Sequence, residues 1–161
     1  MGGDYSLTYA QICRASLYLQ HRPTMPFIIT SKDTFDQLPG RRHPGPTYIA
    51  ATAIEASSGV APVVVGKPSR VLAESLIAEH ALDPLRTCMI GDRLDSDIVF
   101  GNIAGFTSLL VMSGVTSKEE IEQLVHAELV RSRADDIGAE PSLSLPNCCV
   151  GSLADLLSYD D

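Results

Sequence analysis

Two short polar clusters hold the residues best suited to chemistry. Gly66-Lys67-Pro68-Ser69 follows the apolar run Val63-Val64-Val65, and Gly91-Asp92-Arg93-Leu94-Asp95-Ser96-Asp97 follows Cys88-Met89-Ile90. Lysine is a compact cation that attracts a phosphate or a carboxylate by about 4 kcal/mol at about 4 Å, before desolvation, at an effective dielectric of about 20. Aspartates such as Asp92 and Asp97 supply the hard oxygens that Mg²⁺ prefers, one or two carboxylates being completed by water and phosphate. Each cluster has a plainer reading on its own. Ser69 can cap a helix after a turn, and the acids of the second cluster suit the positive end of a helix. Together, at the ends of two strands and 25 residues apart from Lys67 to Asp92, they read as a metal-assisted phosphate site.

The elements that must position them alternate. Ser6 can cap a helix over 7–20, and residues 26–30 read as a short buried strand. Residues 32–46, broken by Leu38-Pro39-Gly40 and Pro44-Gly45-Pro46, read as a long loop. A helix over 47–58 ends at Gly59. From Pro62 the rhythm tightens: a strand over 62–65, a helix over 69–80, a strand over 87–90, a helix over 95–103 and a strand over 107–112. Thr116 with Glu119 forms a capping-box start for a helix over 117–130. A short strand near 148–150 leads to a closing helix over 152–158. Strand–helix–strand alternation at this spacing predicts a parallel α/β sheet. In such a sheet, ligands sit beyond the carboxyl ends of the strands, which places both clusters on one rim.

Composition narrows the partners. The 161 residues are 45% hydrophobic and 20% charged, values of a globular chain rather than a disordered one. The net charge of −8 is uneven: residues 1–117 carry −1 and residues 118–161 carry −7. No basic stripe is present to release counterions from nucleic acid, and the acidic end reads as a solvated face. No apolar run approaches the roughly 20 residues of a membrane helix, and the first residues have no secretory pattern. Cys13, Cys88, Cys148 and Cys149 lack metal-ligand spacing, so reduced thiols in a cytoplasmic protein are expected. Met1-Gly2-Gly3-Asp4-Tyr5-Ser6 fits the short, loose N-myristoylation pattern at Gly2.

VVVGKPS followed by IGDRLDSDIVFGNIAGFTSLLVMSGVT resembles motifs three and four of the haloacid dehalogenase superfamily of phosphatases. The likeness is to the branch holding phosphoglycolate phosphatase, pyridoxal phosphate phosphatase and the 4-nitrophenylphosphatases. Upstream, FIITSKD and HPGPTYIAATAIEASSGVAP are similar to the end of that branch's large cap domain, and SLADLL to its last helix. The resemblance implies an α/β fold: the C-terminal part of a cap over residues 1–60, then the second half of a Rossmann-like core over 61–161. It implies that Lys67 holds the nucleophilic carboxylate and the bound phosphate, with Gly66 and Asp33 beside the substrate. Asp92 would ligate Mg²⁺, and Asp97 would orient the metal's water or the loop. Gly101 and Asn102 would shape the helix beneath. Ser96 stands where relatives usually carry Thr, and Thr30-Ser31-Lys32-Asp33 where they show Thr-Asn-x-Asp.

The family's nucleophile, the first Asp of a DxDGT-type motif ending an apolar strand, has no counterpart in these residues. The one D-x-D, Asp95-Ser96-Asp97, lies inside motif four. The expected protein is therefore the C-terminal part of a Mg²⁺-dependent phosphatase of small phosphorylated metabolites, working through an aspartyl-phosphate and inactive alone. By the same likeness, Met1 reads as an internal residue of a longer frame. Without the family's first core strand, Cys88–Ile90 is expected to be an open edge, and the chain to be poorly soluble or oligomeric. Two alternatives remain: a non-catalytic truncated paralogue that binds a full-length relative or forms a homo-oligomer, and an unrelated flavodoxin-like binding domain.

Overall fold

The computed structural model describes residues 1–133 and 142–158. The chain divides into two compact units, Met1–Ser69 and Arg70–Asp161. Both are mixed α/β.

In the first unit, helix α1 (Tyr9–His21) packs against α2 (Pro46–Ser58). Thr8, not Ser6, caps α1. Gln11 Oε1 accepts the Thr8 N–H at 2.7 Å while Thr8 Oγ1 accepts the Gln11 N–H at 3.4 Å. The Ser6 hydroxyl and amide are instead turned back onto Asp4 Oδ1. Between the helices Leu19, Ala51 and Ile54 bury with Phe27 and Ile29. Sealing a side chain such as Ile29, at 0% exposure, contributes roughly 1.5–3 kcal/mol. Gly59, at φ 75°, ends α2 in the left-handed conformation expected of a terminating glycine.

Strand β1 (Ile28–Ile29) pairs in parallel with β4 (Val63–Val64), Ile28 opposite Val63 and Ile29 opposite Val64. Strand β4 thus belongs to this small sheet and not to the sheet holding Cys88–Ile90, so the two polar clusters follow strands of different sheets rather than of one. The apolar run Val63–Val65 marks a strand, one that stays partly open with Val63 at 53% exposure, and nothing local to it selects its neighbour. Residues 32–46 also differ from the loop expected of them. They fold as an antiparallel hairpin of β2 (Phe35–Leu38) and β3 (Arg41–Pro44) around Pro39-Gly40, with Gly40 at φ 69°. Its strands are polar on both faces, so no alternating pattern reveals them. The ladder and the Arg42 guanidinium, 4.3 Å above the Phe35 ring, hold it together.

In the second unit, β5 (Cys88–Gly91), β6 (Thr107–Val111) and β7 (Cys148–Val150) form a parallel sheet in that order. Helices α3 (Arg70–His80) and α4 (Val99–Ala104) cover it through Ala73, Phe100 and Ala104, joined by Phe106 just before β6. The two phenylalanine rings meet edge to face at 6.4 Å. Gly101 lets α4 lie close to the sheet: a Cβ there would come within 2.9 Å of the Met89 Cβ. Helix α5 (Lys118–Arg133) starts one residue later than expected. Ser117 and Glu120 form its capping box, since Thr116 is drawn to the backbone of Asp92. The closing helix is a 3₁₀ segment, Leu153–Ser158, with Asp155 accepting the Ser152 N–H at 2.7 Å.

Strand β5 pairs only with β6 among the described residues, and Ile90 on it is 42% exposed. An apolar edge of this kind recruits further strands. The purified chain should therefore self-associate with rising concentration in light scattering, and Ile90→Lys should reduce that association. A sharp monomer for the unaltered chain at high concentration would contradict it.

Candidate functional site

In the first unit, two loops leave the carboxyl ends of the paired strands β1 and β4. One runs through Thr30, Ser31 and Asp33, and the other is Gly66-Lys67-Pro68-Ser69, with a cis Lys67–Pro68 bond. A Cβ on Gly66 would lie 1.7 Å from the Thr30 carbonyl oxygen, so only glycine allows this contact. The Ser69 N–H closes the turn on Gly66 O at 2.8 Å. Gly45 packs from the other direction, where a Cβ would fall 1.9 Å from the Asp33 carbonyl oxygen. The Gly45 N–H donates to Thr34 O at 3.0 Å. Within the loop, the Ser31 hydroxyl donates to Asp33 Oδ2 at 2.8 Å and accepts the Asp33 N–H at 2.9 Å. Asp33, Gly66 and Lys67 thus follow the carboxyl ends of two paired strands in one unit.

The second cluster sits at the carboxyl end of β5. There the chain enters a π-helical turn, Leu94–Ile98, before α4. The amides of both Asp97 and Ile98 converge on Arg93 O at 3.1 Å. Asp97 is 5% exposed. Its Oδ2 accepts the N–H groups of Asp92 at 3.1 Å and Arg93 at 3.2 Å. Asp92 is gripped by the loop after β6: its Oδ2 accepts the Val115 N–H at 2.8 Å, and its carbonyl accepts from Thr116 N–H at 3.0 Å and Thr116 Oγ1 at 2.6 Å. A Cβ on Gly114 would lie 2.1 Å from Asp92 Oδ2. Asp95 points elsewhere, pairing with Arg93 at 2.9 and 3.1 Å while 66% exposed. Asp95 and Asp97 are accordingly not a carboxylate pair.

Asp92 and Asp97 bring hard oxygen donors to one strand end. Among the described residues no group of three His, Cys, Asp or Glu gathers as a ready metal cage. That donor set fits Mg²⁺, which leaves much of its shell to water and phosphate, and suits no thiophilic metal. Both carboxylates already accept backbone N–H groups, Asp92 from Val115 and Asp97 from Asp92 and Arg93.

The sequence missed the supports. Asn102 donates to Leu143 O at 2.7 Å and Leu145 O at 2.9 Å and accepts from Ser108 Oγ at 2.8 Å. Asn147 accepts the Ser108 N–H at 2.7 Å. These contacts fasten β6, α4 and the segment before β7 beneath the site, a wider role for Asn102 than shaping one helix. The Ser113-Gly114 step after an apolar strand was the available signal for the grip on Asp92. Burial, with Cys148 nearby, pushes the Cys88 and Cys149 thiols above their ordinary range. Both are therefore poor nucleophiles at neutral pH.

The HAD-hydrolase-like family matches residues 64–137. A glycerol-3-phosphate phosphatase from Gallus gallus is 38% identical over 160 residues, 98% of this chain and 47% of the relative. Chronophin from Mus musculus is 34% identical over 158 residues, 98% of this chain and 49% of its own. Among solved structures, a 4-nitrophenylphosphatase from Thermotoga maritima superposes with a TM-score of 0.77 at 27% identity, over 99% of this chain and 54% of that one. The chain belongs to the haloacid-dehalogenase-like phosphatase family. It spans about half the length of the curated relatives it matches.

Removing the Asp97 carboxylate leaves two backbone N–H groups without acceptors, each costing about 1–3 kcal/mol. Asp97→Ala should lower the unfolding free energy by about 2–6 kcal/mol in urea titrations, and Asp97→Asn, which keeps one acceptor oxygen, by less than half as much. Equal losses in the two variants would count against this role. For the thiols, raised pKa values predict slow iodoacetamide labelling of Cys88 and Cys149 at pH 7. Labelling should lag that of an unburied thiol at the same pH and accelerate as the pH is raised.

Proposed function

We propose that these residues are the phosphate- and metal-binding half of a Mg²⁺-dependent phosphomonoesterase acting on small phosphorylated metabolites in the cytoplasm. Two observations support the reading, one in each unit: Lys67 is set at a strand end by the Gly66–Thr30 contact, and Asp92 is held at a strand end by Val115 and Thr116. The names of the relatives favour the same chemistry: glycerol-3-phosphate phosphatase and 4-nitrophenylphosphatase. That no helix among the described residues is long and apolar enough to cross a membrane accords with it.

In this mechanism Lys67 Nζ offsets the negative charge that the phosphoryl oxygens carry and develop. Gly66 keeps the lysine's backbone against the Thr30 loop, where Asp33 lies beside the substrate. Asp92, with Asp97 ordering its amide, would hold Mg²⁺, which when bound supplies further positive charge to the phosphoryl group. The nucleophile is an aspartate supplied by a segment outside these 161 residues, and the phosphoryl group passes through an aspartyl-phosphate before water releases it. Uncatalysed phosphate-monoester hydrolysis is slow enough that acceleration of up to about 10²¹-fold is needed. Lysine and a carboxylate alone do not approach it.

The chain alone should stay at background on 4-nitrophenyl phosphate with Mg²⁺. Co-expressed with the part of the Gallus gallus relative that this chain does not match, it should gain activity. That activity should fall at least about 100-fold with Lys67→Ala or Asp92→Asn, the scale of losing one charge-stabilising group, and should disappear with EDTA. Activity indifferent to both substitutions would remove the catalytic reading. The open edge of β5 favours a second reading, a non-catalytic module that binds a full-length relative. Pull-down of that relative, unchanged by Lys67→Ala and Asp92→Asn and without any gain of activity, would select it.

A further inference from the structure

The register of β5 on β6 identifies the backbone groups that its open edge presents. Cys88 lies opposite Thr107, and the Thr107 N–H donates to Thr87 O at 3.0 Å. The ladder to β6 therefore runs through residues 87, 89 and 91. Backbone direction alternates along a strand, so the N–H and C=O of Cys88 and of Ile90 point to the open side. These four groups have no partner among the described residues. Both side chains are exposed as well. The edge stops abruptly at each end. The Arg86 N–H is spent on Asp83 O, the Asp92 N–H on Asp97 Oδ2 and the Asp92 carbonyl on Thr116.

We propose that this edge pairs with the same edge of a second copy of the chain, antiparallel about a two-fold axis through Met89. In that register Cys88 of each copy faces Ile90 of the other. Facing residues of this kind exchange two hydrogen bonds, so four bonds form and every open group of both edges is used. Moving the axis to Cys88 or to Ile90 pairs one outward residue with itself. The other then meets Arg86 or Asp92, whose groups are already spent. The ends favour the same register. Arg86, exposed on its own copy, comes opposite Asp92 of the second copy, which sets a cation against an anion on either side of the uncharged run from Thr87 to Gly91. An edge that matches itself in backbone and in charge meets the requirement of an isologous contact. This pairing goes beyond the phosphatase reading and needs neither Lys67 nor a bound metal.

The test uses the full chain with Cys13, Cys148 and Cys149 replaced by Ser, oxidised with copper phenanthroline and run on non-reducing gels. Adding Ile90→Cys gives each Cys88 a thiol directly opposite it in the second copy. Their Cα atoms lie about 5.5 Å apart, a span that a disulfide bridges, so a covalent dimer should form. Cys88 alone, or Ile90→Cys combined with Cys88→Ser, should stay monomeric, because like positions lie two residues out of register. Ile90→Pro removes the outward N–H and leaves the ladder to β6 whole, as edge strands tolerate. It should weaken dimerisation about thirtyfold in sedimentation, the loss of two of the four bonds. Arg86→Glu, which sets two acids together at each end, should weaken it at least about threefold, and by less at high salt. Circular dichroism verifies the folding of each variant, and where Ile90→Pro does not fold the thiol chains decide. A monomer at every concentration would overturn the pairing. So would cross-linking of either single-thiol chain in preference to the two-thiol chain, or association unchanged by a folded Ile90→Pro. None of these outcomes reads phosphatase activity, so the two readings fail separately.

Discussion

At Gly66 a Cβ would sit 1.7 Å from the carbonyl oxygen of Thr30, and at Gly114 one would sit 2.1 Å from a carboxylate oxygen of Asp92. Gly45 and Gly91 repeat the pattern against the Asp33 backbone and the Asp97 side chain. Backbone brought this close to a polar atom leaves no room for any other residue. Each candidate functional side chain depends on one of these contacts, in both units. The chain uses one device twice: a glycine beside a strand end lets a polar loop settle onto the backbone, and the neighbouring Lys or Asp inherits its position. Hydrogen bonds then fix what the close approach permits.

The reach of sequence reasoning follows from which interactions are local. Helix α2 with its Gly59 stop, and strands β5 and β6, declare themselves through apolar runs and terminating residues, and they were legible. The cap of α1 was misplaced by two residues because Ser6 and Thr8 are both competent, and Asp4 decides between them by engaging Ser6. The start of α5 slipped for a similar reason, Thr116 being claimed by Asp92, 24 residues away. The β2–β3 hairpin was illegible because a strand pair with polar residues on both faces has no period to detect. The pairing of β4 with β1 is a choice between two apolar strands that only tertiary structure makes. Lys67, Asp92 and Asp97 were legible as residue types at strand ends. Asn102, Ser108 and Asn147 act through contacts up to 43 residues apart, and no spacing rule encodes them.

The two units divide the chemistry unequally. The first supplies Lys67 and the Ser31–Asp33 loop on a two-stranded sheet. The second supplies Asp92 and Asp97 on a three-stranded one. Neither sheet is large, and three-stranded sheets need a covering layer to be stable alone. Helices α3 and α4 provide one such layer. The exposed Ile90 and Cys88 of β5 mark where cover is lacking.

The π-helical turn at Leu94–Ile98 carries its own consequence. Such a turn is a helix with one residue more than its α-helical frame requires, and here the surplus residue falls between Arg93 and α4. Along an α-helix each residue advances by about 100°. Deleting one residue from this turn would restore regular winding and leave α4 intact, with Phe100 and Ala104 still facing Ala73. It would also swing the carboxylate of Asp97 about a quarter-turn away from the amides it now receives. The site could thus be lost by a change of length without any change of side chain. A chain with an intact core and every aspartate still in its sequence could therefore have no functioning loop, a difference that comparison by residue identity would overlook.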